Sequence, residues 1–179
     1  MFVMDLIYEK GYKIADVLTL ARFFIVFILL ALIPGKLSSV DQFMVLLLIA
    51  WLTDCLDGYF ARKSKRLGAL GSWDGWVDTI MYLAVFLYCT VMGYYSVLFF
   101  ITLIVLNFCL VFFTKNLEVN QAFQFLYIIF GFRTLLEIST EWSLIVILWT
   151  IFVIIFKWNR FKWQVVNFIS SFKNLLTKK

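Results

Sequence analysis

Residues 40–61 read VDQFMVLLLIAWLTDCLDGYFA. Between Asp41 and Asp54 no residue is charged. At about 1.5 Å per residue, a helix of this length reaches across the roughly 30 Å hydrocarbon core of a bilayer. The rest of the chain has the same character: 64% of its 179 residues come from the set AVILMFWYC, 15% are charged, and the mean hydropathy is +0.95. Soluble domains are roughly 45–50% apolar and about 25% charged. Such an excess of apolar side chains needs lipid as its solvent, which excludes a soluble globular domain. A single proline and long runs without polar alternation also exclude a membrane barrel, whose strands alternate apolar and polar residues. The expected fold class is therefore an all-α integral membrane protein.

Six transmembrane helices are expected, over residues 14–33, 40–61, 73–91, 96–114, 119–138 and 142–156. Pro34-Gly35 ends the first and Gly93 follows the third, both helix-terminating signals. The fifth is the least hydrophobic and carries Arg133 and Glu137. Residues 1–12 form a short amphipathic N-terminal helix suited to the interface, and 158–179 a basic amphipathic tail of the same kind. The first apolar run is too long for a cleaved signal peptide and lacks a small-residue cleavage pattern before Pro34. Residues 1–179 thus read as a single membrane domain.

Charge sets the orientation. Six crossings put both termini and the loops 62–72 and 115–118 on one side, together with thirteen of the sixteen Lys and Arg residues. Lys36 lies opposite, and Arg22 and Arg133 fall inside spans. The positive-inside rule then places both termini in the cytoplasm. The net charge of +5 is read as headgroup anchoring rather than as a nucleic-acid interface. The absence of histidine removes a Ser-His-Asp triad and an H-E-x-x-H metal site. Cys55, Cys89 and Cys109 lack the paired spacing of a disulfide framework or zinc knuckle.

Four carboxylates gather within 25 residues: Asp54 and Asp57 near the end of the second span, Asp74 and Asp78 at the start of the third. Residues three and four apart share a helix face, so two carboxylates face two across adjacent antiparallel helices. Four close anions repel unless a cation sits among them. Hard oxygen ligands suit Mg²⁺, Mn²⁺ or Ca²⁺, and Mg²⁺ usually pairs a few carboxylates with substrate phosphates. Gly58 and Ala61, on the same stripe as Asp54 and Asp57, leave room for a phosphate. Solvation at a helix end, or complementing the macrodipole in the case of Asp74, accounts for one such residue but not for four at this spacing.

These residues resemble the signature of the CDP-alcohol phosphatidyltransferase family, D-x2-D-G-x2-A-R-x8-G-x3-D-x3-D. Asp54, Asp57, Gly58, Ala61 and Arg62 match it, and Gly71 follows after eight residues. Only Ser72 and Trp73 then precede Asp74, one residue short of the pattern, before Asp74-x3-Asp78 resumes it; Gly68 is the alternative match for the glycine. Upstream, Asp16-Val17-Leu18-Thr19-Leu20-Ala21-Arg22 resembles the N/D-x-L-T-x-x-R opening of the family's first span. The resemblance implies that a phosphatidyl group passes from CDP-diacylglycerol to an alcohol with release of CMP, in phospholipid biosynthesis. It implies two divalent ions, Mg²⁺ or Mn²⁺, held by Asp54, Asp57 and Asp74, with Asp78 helping to hold a metal and serving as general base. Thr19, Gly58, Ala61, Arg62 and Gly68 would contact the CDP-lipid. A homodimer is also implied.

Two features bear on the acceptor. Thr79 follows the last aspartate, where members taking phosphorylated alcohols often carry Lys or Arg. Against this, Arg133-Thr134-Leu135-Leu136-Glu137 resembles a K-T-x-x-Q element of glycerol-phosphate enzymes. Arg133 then either binds the acceptor phosphate or pairs with Glu137 one turn on. Glycerol 3-phosphate is the first expectation; serine, inositol phosphate or another alcohol is the alternative. Intramembrane Arg22, Arg133 and Glu137 also admit a small transporter, and the shortened turn an inactive family member. Transport sites, however, lie at the bilayer midplane among broken helices, whereas these aspartates cluster near one surface.

Overall fold

The computed structural model describes residues 2–64, 68–115 and 117–156, with positions 158, 162 and 166. The basic tail expected over 158–179 lies, apart from those three positions, outside the described residues. Every element is helical: α1 (Phe2–Leu32), a 3-10 segment (Ile33–Ser39), α2 (Val40–Ser64), α3 (Asp74–Val91), α4 (Val97–Thr114), α5 (Leu117–Ile138) and α6 (Thr140–Phe156). The six α-helices overlap the six segments expected to be helical. By length and apolarity, two stretches among the described residues qualify as membrane crossings, Lys10–Ser64 and Val97–Thr114, and Thr140–Ile155 is a shorter apolar helix.

One expectation is corrected. Residues 1–12 are not a separate interfacial helix, because α1 runs unbroken from Phe2 to Leu32. Gly11 does not stop the helix; it lets α1 and α2 approach. A Cβ there would stand 2.9 Å from the Phe60 carbonyl oxygen and 3.2 Å from the Ser64 Cβ. Small residues at such crossings let backbones come close.

The chain divides into two compact units, residues 1–103 and 104–179, the boundary falling within α4. In the first, α1 packs along α2 and touches α3. Buried along α1 are Ala15, Thr19, Arg22, Val26 and Leu29, spaced alternately by four and three, and Ile33 at the start of the 3-10 segment continues the series. Val40, Phe43, Leu47, Ala50, Asp57 and Ser64 follow the matching rhythm on α2. This is the a/d seam of two helices packed lengthwise, with a charged residue at one seam position on each helix. Val77, Met81, Ala84 and Tyr88 of α3 complete the core.

At the far end of this core the Phe43 and Tyr88 rings stack at 4.2 Å. The Tyr88 hydroxyl donates to the Lys36 carbonyl oxygen at 2.5 Å and lies 3.1 Å from the Ser39 hydroxyl. These bonds fix the 3-10 segment to α3, and Lys36 there adopts a positive φ of 49°. In the second unit α5 packs on α6. Buried Asn107 donates to Asn120 Oδ1 at 3.3 Å and to the Tyr127 hydroxyl at 3.4 Å, the type of polar contact that joins helices in lipid.

Exposure is inverted relative to a soluble protein. Phe24, Phe27, Leu98, Phe112 and Phe113 point outward, while Arg22, Asp57 and Asn107 are buried. In water that distribution would be unfavourable by about 25 cal/mol for each Å² of apolar surface left uncovered; against acyl chains the penalty is absent.

Candidate active site

The site forms where the last turns of α2 meet the first turns of α3. Asp54 and Asp57 sit on α2, and Asp74 and Asp78 open α3. The turn before Asp74 is held by backbone bonds, Gly71 N–H to the Gly68 carbonyl at 3.3 Å and Trp73 N–H to the Leu70 carbonyl at 2.9 Å. From α1 the Asp16 carboxylate accepts the N–H groups of Ala69 and Leu70, both at 3.0 Å. The same carboxylate occupies the space that a side chain on Gly68 would need. Gly68, one of the two glycines the sequence offered, thus has a steric reason to lack a side chain.

The four aspartates converge, and the guanidinium of Arg22 lies among them. Arg22 Nη1 donates to Asp78 Oδ1 at 2.6 Å and to Asp74 Oδ1 at 3.0 Å, and stands 3.4 Å from Asp54 Oδ1. Its Nη2 donates to Asp57 Oδ2. Thr19, one turn before Arg22, donates its hydroxyl to the Ala15 carbonyl at 3.2 Å and reaches Asp74 Oδ1 at 3.5 Å. Side-chain exposure is graded, 36% for Asp54 and 35% for Asp74 against 20% for Asp78 and 5% for Asp57. The cluster therefore opens on its Asp54 and Asp74 edge and closes behind Asp57, which gives a ligand one direction of entry.

The residues fit divalent cations. One carboxylate oxygen from each of Asp54, Asp57 and Asp74 lies within 4.8 Å of the others. All the donors are hard oxygens, as Mg²⁺ and Mn²⁺ prefer, and a cationic side chain already occupies the focus. Four carboxylates against one guanidinium leave three negative charges to be balanced.

The other expected site residues are distributed unevenly. Gly58 and Ala61 are half-buried on α2 beyond Asp57, and Arg62 is exposed on the same helix. Lys63 Nζ lies 4.9 Å above the Tyr59 ring. Arg133, on α5 in the second unit, faces Glu137 with Nε 4.0 Å from Oε1, and both are well exposed. Two features escaped the sequence reading, the seat of Arg22 among the aspartates and the hold of Asp16 on residues 69 and 70. For Arg22 a signal existed: Ala15, Thr19, Arg22, Val26 and Leu29 form one stripe at spacings of four and three, which puts the charge on the packed face.

Comparison with known proteins gives the family. The family model of CDP-alcohol phosphatidyltransferases matches residues 12–156, and the chain belongs to that family. Its members are membrane-embedded enzymes that transfer substituted phosphate groups from a CDP-alcohol to an alcohol acceptor. No curated protein and no solved structure gives a significant match.

Proposed function

We propose that this enzyme transfers the phosphatidyl group of CDP-diacylglycerol to glycerol 3-phosphate, releasing CMP at the cytoplasmic face of the membrane. The observation that carries the reading is the convergence of Asp54, Asp57, Asp74 and Asp78 on one cationic position. Asp54, Asp57 and Asp74 would hold two divalent ions, Mg²⁺ or Mn²⁺, with Asp78 assisting. Bound there, such ions supply charge neutralisation for the diphosphate and the departing CMP.

The chain's own residues account for the remaining work. Asp78 takes the proton of the acceptor hydroxyl, whose oxygen bonds to the phosphatidyl phosphorus as the bond from that phosphorus to CMP breaks. CMP departs with the electron pair. Arg62 offers its charge to the diphosphate, and Gly58 and Ala61 let the nucleotide approach the α2 backbone. Thr19 and Gly68 complete the donor site from α1 and the turn. The apolar surface around the helices keeps the diacylglycerol tails in lipid while the headgroup chemistry proceeds at the aspartates.

For the acceptor, Thr79 offers no charge, and its hydroxyl is engaged with the Gly75 carbonyl at 2.7 Å. Arg133 is the cation proposed to bind the glycerol phosphate. Serine, inositol phosphate or another alcohol is the second reading, favoured by the uncharged Thr79. A homodimer is proposed as the assembly, and the excess of basic residues on one side supports cytoplasmic termini.

The test is purified protein in lipid with CDP-diacylglycerol, Mg²⁺ or Mn²⁺ and a panel of alcohols, scored by CMP and lipid product. Glycerol 3-phosphate is expected to give the product, and Asp78→Asn to abolish it. Product with serine alone would reassign the acceptor, and release that survives Asp78→Asn would remove Asp78 as base. No release with any alcohol would point to an inactive member.

A further inference from the structure

We propose that Arg22 is the internal counter-cation of the aspartate quartet, holding the site together without metal and competing with divalent ions for the same oxygens. The inference rests on reading the four aspartates as metal ligands and goes beyond it by giving the site a resident competitor.

Three observations carry it. Arg22 is fully buried, so its charge has no solvent to balance it. Its two terminal nitrogens lie against all four carboxylates, which come from two other helices, α2 and α3. Its Nε is buried and has no hydrogen-bond partner among the described residues. Among the described residues, and apart from its own helix, the guanidinium is therefore anchored by the aspartates alone. An arginine fixed for a structural purpose would normally satisfy Nε as well, because an unmet buried donor is costly.

The consequence follows from charge. Without Arg22, four carboxylates would face one another with no cation between them, and mutual repulsion would push α2 and α3 apart. With Arg22, the metal-free protein keeps the ligands gathered. A divalent ion entering from the Asp54 and Asp74 edge must then share oxygens with a cation that repels it. Each lowers the other's hold on the site, and by linkage the effect is reciprocal. Arg22 thus exchanges some metal affinity for a preassembled site.

The test uses the full chain in lipid nanodiscs, stripped of metal and titrated with Mn²⁺ alone, the free ion being followed by its paramagnetic resonance. Unfolding temperature is recorded with and without Mn²⁺. Arg22→Met is expected to unfold at a lower temperature than wild type without metal, to bind Mn²⁺ about tenfold more tightly, and to gain a larger stabilisation from it. Arg22→Lys keeps the charge and is expected to stay near wild type in Mn²⁺ affinity. A folded Arg22→Met that binds Mn²⁺ no more tightly than wild type would overturn the proposal.

Should Arg22→Met fail to fold, the wild type decides by nitrogen NMR of its arginine side chains. Rotation of the Arg22 terminal nitrogens is expected to be hindered without metal and released by diamagnetic Mg²⁺, and an unchanged signal would overturn the proposal. Failure of the underlying reading looks different: wild type would bind no Mn²⁺, or Asp57→Asn would bind it as well as wild type does.

Discussion

Gly68 and the Asp16 carboxylate are in such close contact that no side chain fits between them, and the same carboxylate receives the next two backbone N–H groups. The turn that aims Asp74 into the site is therefore set from α1, 52 positions before Gly68. Gly68→Ala should dislodge Asp16 from Ala69 and Leu70, at about 1–3 kcal/mol for the charge-assisted hydrogen bonds lost. A fall in CMP release with a lower unfolding temperature in detergent is expected. Gly75→Ala is the contrast: a Cβ there meets nothing within 4 Å, and alanine gains about 0.8–1 kcal/mol of helix propensity. Its unfolding temperature should hold or rise.

Asp54 and Asp57 should separate in stability although both are proposed as metal ligands. Asp57 is the most buried partner of a fully buried arginine, and removing one member of a buried pair costs about 3–5 kcal/mol. Asp54 is more than a third exposed, where pairs contribute about 0–1 kcal/mol. In metal-free thermal or chemical unfolding, Asp57→Asn should fall well below wild type and Asp54→Asn stay close to it. Equal losses would show that the graded exposure of the cluster has no energetic meaning.

Chelation should stop CMP release, and either Mg²⁺ or Mn²⁺ should restore it. Binding to the folded state alone should also raise the unfolding temperature, by the equivalent of about 2.7 kcal/mol at a hundred times Kd. Asp57→Asn should lose both the restoration and the shift, as calorimetry with and without EDTA will show.

The helices were legible because apolar runs of bilayer length admit few other structures, and the aspartate pairs because spacings of three and four place them on one face. Gly11 was not legible. Its role depends on Phe60 and Ser64, which only tertiary packing brings beside it. Arg22 was visible as an intramembrane charge but not as the hub of the site. Nothing local to α1 distinguishes an arginine facing carboxylates on two other helices from one whose head reaches the interface. The pairing of Arg133 with Glu137, by contrast, was written in the i, i+4 spacing.

That pair frames an acceptor prediction. Both groups are exposed and 4.0 Å apart, so Arg133→Ala should cost only about 0.3–0.5 kcal/mol of stability. If Arg133 binds the acceptor phosphate, the KM for glycerol 3-phosphate should rise about tenfold or more, a loss near 1.4 kcal/mol. The KM for CDP-diacylglycerol should not move. Steady-state kinetics with each substrate varied in turn decides the point, and an unchanged acceptor KM would return Arg133 to a pairing role alone.

Tyr88→Phe serves as a distant control. Tyr88 lies fourteen residues beyond Asp74 on α3, about 21 Å along the helix. Losing its bonds to Lys36 and Ser39 should cost about 1 kcal/mol and loosen the 3-10 segment, with CMP release unchanged at temperatures where the variant stays folded. Protease sensitivity near Lys36 should increase.

The seat of Arg22 also bears on how the chain is made. Residues 14–33 entering a bilayer alone would carry an uncompensated charge, at about 2.5–3.5 kcal/mol near the helix centre on the scale of translocon insertion. Every neutralising carboxylate is synthesised later, from Asp54 onward. The charge on the first helix is therefore met in lipid only once α2 and α3 have followed it, which favours insertion of these helices as a group over insertion one at a time.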